Sequence, residues 1–254
     1  MNDFMWFRTI NSFFLIGLSV IFLSGCGAKQ YRRVEPSGFL GDYSKMKEGE
    51  NNEALYVYIN PNTDCKKYTK VLIEPVVFWD PKKENDLHEL DEKDKKMLAS
   101  MAWGTLYDAM RKGNFDVVFK PGPDVLRVKA AITEAEEAHV IPANIMAFAP
   151  YLWEATTLWG IGVGKWPFLG ELAWEIEFSD STTGERLLAK VDKVVGTLFS
   201  NMDPAAEWED VRQGFDLWRD RYGKRMQSCK LTGSFAMPED DRHWLRQQVE
   251  YWTP

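Results

Sequence analysis

The chain has 254 residues, 45% of them hydrophobic and 27% charged, values ordinary for a folded globular protein and against wholesale disorder. With 38 acidic residues against 31 basic ones, a net charge of −7 argues against sequence-independent nucleic-acid binding and against a polybasic membrane contact, both of which are built from Lys and Arg. Eleven tryptophans are many for this length, and their simplest use is a large aromatic core rather than a ligand platform.

Residues 1–25 read as a targeting segment. Arg8 supplies its positive region, Ile10 to Leu23 its apolar stretch, and Gly25 the small residue before Cys26. That stretch is too short and too interrupted by polar residues to span a bilayer, which takes about 20 mostly apolar residues. Leu23-Ser24-Gly25-Cys26 resembles the lipobox of bacterial lipoproteins. The resemblance implies cleavage before Cys26, acylation of Cys26, and an address outside the cytoplasm, on a membrane. Each buried methylene adds about 0.8 kcal/mol, so two or three acyl chains anchor firmly. Gly27, where inner-membrane retention uses Asp, resembles the sorting pattern of outer-membrane lipoproteins and implies a domain facing the periplasm. Cys65 and Cys229 then remain. An oxidising periplasm can pair them as a disulfide, and whether they pair depends on a distance that only the fold sets.

Residues 26–52 are polar and read as a lipidated tether, within which Gly38-Phe39-Leu40 and Tyr43 dock onto the body. Residues 53–254 read as a single periplasmic α+β domain: a mixed, mostly antiparallel sheet with helices packed on it, plus an apolar insertion over 140–170. Leu55 to Ile59 predicts a short strand ended by Asn60-Pro61. Val71 to Trp79 reads as a strand buried on both faces and interrupted at Pro75, and Lys82 to Leu90 as a charged loop. Asp91 to Lys112 predicts a helix capped by Asp91, with Leu98, Met101, Ala102, Leu106 and Met110 on one face. Val117 to Phe119 is a short strand. Beyond Pro121-Gly122-Pro123, Leu126, Val128, Ala130 and Ile132 recur at period two. A hairpin follows, in which Leu172, Trp174, Ile176 and Phe178 alternate with Glu175, Glu177 and Ser179. That alternation predicts one solvated face; Asp180 to Gly184 make the turn, and Leu187 to Thr197 return. Asp203-Pro204 predicts a helix start, with Trp208, Val211, Phe215, Trp218 and Tyr222 as its core stripe. Pro238 predicts the start of a final helix carrying Trp244, Leu245, Val249 and Trp252.

Between Val140 and Gly170 stand Phe148, Tyr151, Trp153, Trp159, Trp166 and Phe168, with only Glu154 and Lys165 charged. Such a stretch has to be covered by the body, by a partner or by lipid, and Tyr151, Trp153, Trp159 and Trp166 are the candidate partner contacts. Gly160 to Lys165 is not a phosphate loop, since that pattern requires glycine where Trp159 stands and Ser or Thr where Trp166 stands. No serine sits in G-x-S-x-G, the dispersed His88, His139 and His243 form no H-E-x-x-H, and no cysteine pair has zinc spacing. No catalytic residue, cofactor or metal is therefore expected. The expected role is non-catalytic binding or assembly in the cell envelope, with membrane lipid held through Cys26 and an envelope protein or a second copy as partner. A module for a small molecule or lipid, and an envelope hydrolase, are the alternatives.

Four segments in order, Gly38-Phe39-Leu40-x-Asp42-Tyr43-Ser44, Tyr68-x-Lys70-Val71-Leu72-Ile73-x-Pro75-Val76, Pro121-Gly122-Pro123-Asp124-Val125-Leu126 and Asp180-Ser181-x-Thr183-Gly184-Glu185, carry a family resemblance. They resemble a bacterial lipoprotein family catalogued as domain of unknown function 3313, over about residues 36–225. The resemblance implies no activity. More loosely, the Lys70 to Ile73 strand, the helix after it and the Asp180 hairpin are similar to periplasmic lipoproteins of the curli-secretion and Tol-associated type. Those domains pack helices on a mixed sheet and serve assembly or transport.

Overall fold

The structure, a computed structural model, describes residues 29–30, 34–50, 53–82, 86–136, 170–195 and 208–238. Its strands are β1 (Lys29–Gln30), β2 (Lys47–Glu48), β3 (Tyr56–Ile59), β4 (Lys70–Ile73) and β5 (Val77–Phe78), then β6 (Asp116–Val118), β7 (Val125–Glu136), β8 (Glu171–Asp180) and β9 (Arg186–Val195). All nine join one sheet in the order β2-β3-β9-β8-β7-β4-β6, with β1 also on β9 and β5 also on β7. β4 runs parallel to β6 and β7, and β5 parallel to β7; every other pairing is antiparallel. Among the described residues two helices, α1 (Glu92–Lys112) and α2 (Glu209–Thr232), pack on it, so the class is α+β with a mixed, mostly antiparallel sheet.

Local chemistry accounts for these boundaries. The Asp91 carboxylate accepts from the Asp94 amide at 2.7 Å and starts α1, which ends at Gly113. α2 ends at Gly233, whose φ of 86° is open to glycine at no steric cost. Pro75 has no amide hydrogen to give a ladder, so Val71 to Trp79 forms two short strands instead of one. Burial on both faces does not follow: β5 pairs with β7 alone, leaving Val77 42% and Trp79 38% exposed. The charged loop before α1 contains a short 3-10 turn, Asp86–His88, which buries Leu87. Asp203-Pro204 and the helix predicted beyond Pro238 lie outside the described residues.

The main core lies between the helices and one sheet face. Leu98, Leu106 and Met110 of α1 meet Val211, Phe215, Trp218 and Tyr222 of α2 over Trp174, Ile176 and Phe178 of β8. Trp174 stacks on Trp218 with ring centroids 4.2 Å apart. A second cluster covers the opposite face, where Val34, Leu40 and Leu55 lie on Ala173, Ala189 and Val191. This corrects the solvated face read for β8: Glu175 is 0% exposed and Ser179 3%. The polar alternation is real, but the chain on the N-terminal side folds across it. Docking of the 26–52 stretch thus extends beyond Gly38 to Leu40 and Tyr43, because its ends pair as β1 and β2.

Cys65 and Cys229 form a disulfide with Cα atoms 5.6 Å apart, joining a 3-10 turn (Cys65–Lys67) to α2 across 164 residues of sequence. The Cys65 amide also donates to the Gly233 carbonyl at 2.9 Å. Closing so long a loop restricts the unfolded chain strongly. Replacing both cysteines with serine should lower the unfolding free energy by about 2–5 kcal/mol, read from urea denaturation under oxidising conditions.

Candidate functional site

The Gly38 to Ser44 segment is held by one buried carboxylate. Glu175 accepts from the Ser37 amide at 2.6 Å, the Leu40 amide at 3.3 Å and the Tyr43 hydroxyl at 2.5 Å. The Tyr43 oxygen in turn accepts from the amides of Gly38 and Leu40 at 2.9 and 3.0 Å. Burial and the Glu175 carboxylate push the Tyr43 hydroxyl up to about 12, so it stays a donor at neutral pH. Gly38 and Gly41, at φ 94° and 74°, let the backbone curl tightly enough to aim these groups inward. Arg186 closes the other side, donating to the carbonyls of Leu40 and Asp42 at 2.5 and 2.6 Å while its Nε meets Glu177.

The other three segments meet at one corner of the sheet. Asp180 Oδ1 accepts from the amides of Thr182 and Thr183, each at 2.9 Å. Its Oδ2 takes the Tyr68 hydroxyl at 2.8 Å and Lys67 Nζ at 3.3 Å. Burial alone would raise the Asp180 carboxyl, yet the Thr183 amide, the Tyr68 hydroxyl, the Thr182 amide and Lys67 outweigh it and hold it at about 2. The Ser181 hydroxyl accepts from the Gly122 amide at 3.0 Å and donates to the Gly122 carbonyl at 2.9 Å. Asp124 accepts from the Thr69 hydroxyl at 2.6 Å and Lys70 at 3.0 Å. These are turn and strand-end contacts. The corner's carboxylates and hydroxyls are taken up by neighbouring backbone and side chains.

A third polar cluster lies beneath α2. Lys190 and Asp192 share with Leu188 and Val194 the helix-facing side of β9, and are 1% and 0% exposed. The Trp218 indole donates to Asp192 at 2.9 Å, and Arg221 lies 3.7 Å from the same oxygen. Fully buried Arg225 pairs with Glu53 and donates to the Phe235 carbonyl. Lys190 Nζ sits 4.3 Å from the Tyr222 ring centroid. Burial pushes Lys190 down to about 7, with Arg225 adding to the shift and Glu53 and Asp192 opposing it.

On the outer surface beside Arg186, an open groove of about 520 Å³ is lined by Lys45, Tyr58, Asn60, Asn62, Glu185 and Arg186. Asn60 Nδ2 donates to Glu185 at 2.7 Å, so part of its polar lining is already paired. Among the described residues, no group of three or more His, Cys, Asp or Glu is placed to hold a metal ion.

Cys65 and Cys229 are brought together. Cys26, Tyr151, Trp153, Trp159 and Trp166 lie outside the described residues. Sequence reading missed Glu175 as a buried acceptor, and it missed Lys190, Asp192, Arg225 and Glu53 altogether. The available signal was parity: in β9 the period that places Leu188 and Val194 inward places Lys190 and Asp192 there too.

The model of a family described as Protein of unknown function (DUF3313) matches residues 35–222. No curated protein matches the chain. Among solved structures, a PelC dodecamer from Paraburkholderia phytofirmans is 10% identical, covering 68% of this chain and 94% of that one at a TM-score of 0.35. A DUF4136 family protein from Bacteroides thetaiotaomicron is 12% identical, covering 68% and 98% at a TM-score of 0.30. Both likenesses are remote.

Glu175→Ala leaves buried donors without an acceptor and should cost about 2–4 kcal/mol, with faster hydrogen exchange at Ser37 and Leu40. Glu175→Gln, which keeps one acceptor oxygen, should cost less. For Lys190, the unfolded chain keeps its proton up to the ordinary 10.5 and the folded chain only to about 7. Between those values the unfolded state binds the extra proton, so this group makes stability rise with pH. Lys190→Met should therefore be more stable than the parent at pH 6, by roughly 1–4 kcal/mol, and the gap should narrow toward pH 10 in paired urea titrations.

Proposed function

The chain belongs to the family described as Protein of unknown function (DUF3313), and from that premise we propose that it is a membrane-anchored, non-catalytic binding or assembly component of the bacterial cell envelope. The observation that carries this reading is Leu23-Ser24-Gly25-Cys26 at the end of an apolar stretch, the arrangement that lipoprotein processing requires. Acyl chains on Cys26 hold the domain on the membrane, and Gly27 favours the outer one. The Cys65–Cys229 bond suits an oxidising periplasm. Among the described residues no helix is long and apolar enough to cross a membrane, so the lipid supplies the attachment in this reading.

A non-catalytic role is supported by the polar clusters themselves. The Glu175 clasp, the Asp180 corner and the Arg225–Glu53 pair each hold a segment of backbone in place. The partner in this reading is another envelope protein or a second copy of the chain. A second reading, a module for a small polar molecule, draws on the open groove beside Tyr58 and Arg186. Crosslinking of the full chain in its native membranes separates the two. A discrete heavier species, identified by mass spectrometry, is the expected result. Free monomer alone, with a small molecule recovered on gentle extraction and lost in Tyr58→Ala, would transfer the case to the second reading.

A further inference from the structure

Four paired positions mark one end of the sheet. Lys29 of β1 lies opposite Val195 of β9, Val195 opposite Glu171 of β8, and Glu171 opposite Glu136 of β7. From this row β8 and β9 run to the turn beyond Asp180, so the Asp180 corner stands about 30 Å away at roughly 3.3 Å per residue. Only Gly27 and Ala28 separate Cys26 from Lys29. Three residue steps reach roughly 10 Å at full extension. The leash is about a third as long as this strand run, so the end that carries Lys29 cannot stand far from the bilayer. The row also holds Glu136, the last residue of β7, and Gly170 immediately precedes Glu171.

We propose that the end of the sheet marked by Lys29, Val195, Glu171 and Glu136 is the membrane-proximal end of the body, held close to the headgroups of the bilayer that carries Cys26, with the Asp180 corner presented outward. The proposal rests on the acylation of Cys26 in the function proposed above. The occupant is lipid because the leash is too short to place a globular partner between this row and the bilayer. Charge near the row is partly matched within the body: Lys193 Nζ lies 2.5 Å from Glu134 and 2.6 Å from Glu171, so two carboxylates close to this end are already paired. The outward corner, not the anchored end, is then the part of the body open to components of the aqueous space.

The test uses the full acylated chain in vesicles of phosphatidylethanolamine and phosphatidylglycerol that carry an acceptor dye on a small fraction of headgroups. Glu136→Cys and Thr182→Cys each take a donor dye; Cys26 is blocked by lipid and Cys65–Cys229 is bonded, leaving one reactive thiol. Lys82→Cys, exposed on the side of β5 nearer the row, is a second near-end probe if Glu136→Cys disturbs folding. Energy transfer should be stronger from the near-end position by roughly threefold or more, given about 30 Å between the ends. Equal transfer from both ends, or stronger transfer from Thr182→Cys, overturns the orientation while leaving the anchor intact. Intact mass showing an unmodified Cys26 removes the anchoring reading, and the orientation with it.

Discussion

Both faces of β8 and β9 are covered, and the rest of the architecture follows from how that is achieved. One face is ordinary: Trp174, Ile176 and Phe178 bury themselves under α1 and α2. The other face has too little apolar surface to bury itself, with Ala173 and Glu175 where large hydrophobes would otherwise stand. A cover on that face has to bring its own hydrogen-bond donors. The segment from Val34 to Met46 does so through the amides of Ser37 and Leu40 and the Tyr43 hydroxyl. A carboxylate buried alone would cost several kcal/mol, whereas one accepting charge-assisted bonds fixes the segment above it. The clasp and the sheet therefore depend on each other.

The charges under α2 obey a different logic. Buried ion pairs contribute little net stability, because the cost of removing charges from water offsets their attraction. They do set register. A slip of β9 by one residue would turn Lys190 and Asp192 away from Arg225, Trp218 and Tyr222 and put Ala189 and Val191 beneath the helix. Arg225 and Glu53 extend the effect, linking α2 to the chain just before β3. The disulfide adds a covalent link on the same helix, one turn beyond Arg225. Together these contacts tie the late helix to segments far earlier in the chain.

The four segments that carry the family resemblance divide between two structural tasks. One forms the clasp on Glu175, and three form the corner around Asp180, Ser181 and Asp124. Their residue types suit these tasks: glycine for left-handed turns, aspartate and serine for backbone amides, and tyrosine for a long-reach hydroxyl. Such a scaffold fixes the Asp180 end of the sheet and the segment that covers the face carrying Glu175.

Elements governed by neighbours in sequence were legible without the fold. Asp91 and Gly113 bound α1 because capping is local, and the Asp180 to Gly184 turn follows from side chains that bond their own backbone. The stripe Val211, Phe215, Trp218 and Tyr222 marks the buried face of α2 for the same reason, and Pro75 divides β4 from β5 by lacking a hydrogen. The burial of Glu175 was not legible, since alternation gives the side of a strand but not what lies over it. Nor was the pairing of Lys190 and Asp192 with α2, because partners so far apart in sequence meet only after the sheet and helices are in place; for Cys65 and Cys229 the sequence offered the pair, and the fold decided that they meet. Sequence by itself determined the periodic and local features of this protein; tertiary structure decided which polar groups are buried and with whom, because burial depends on surfaces brought together from distant parts of the chain.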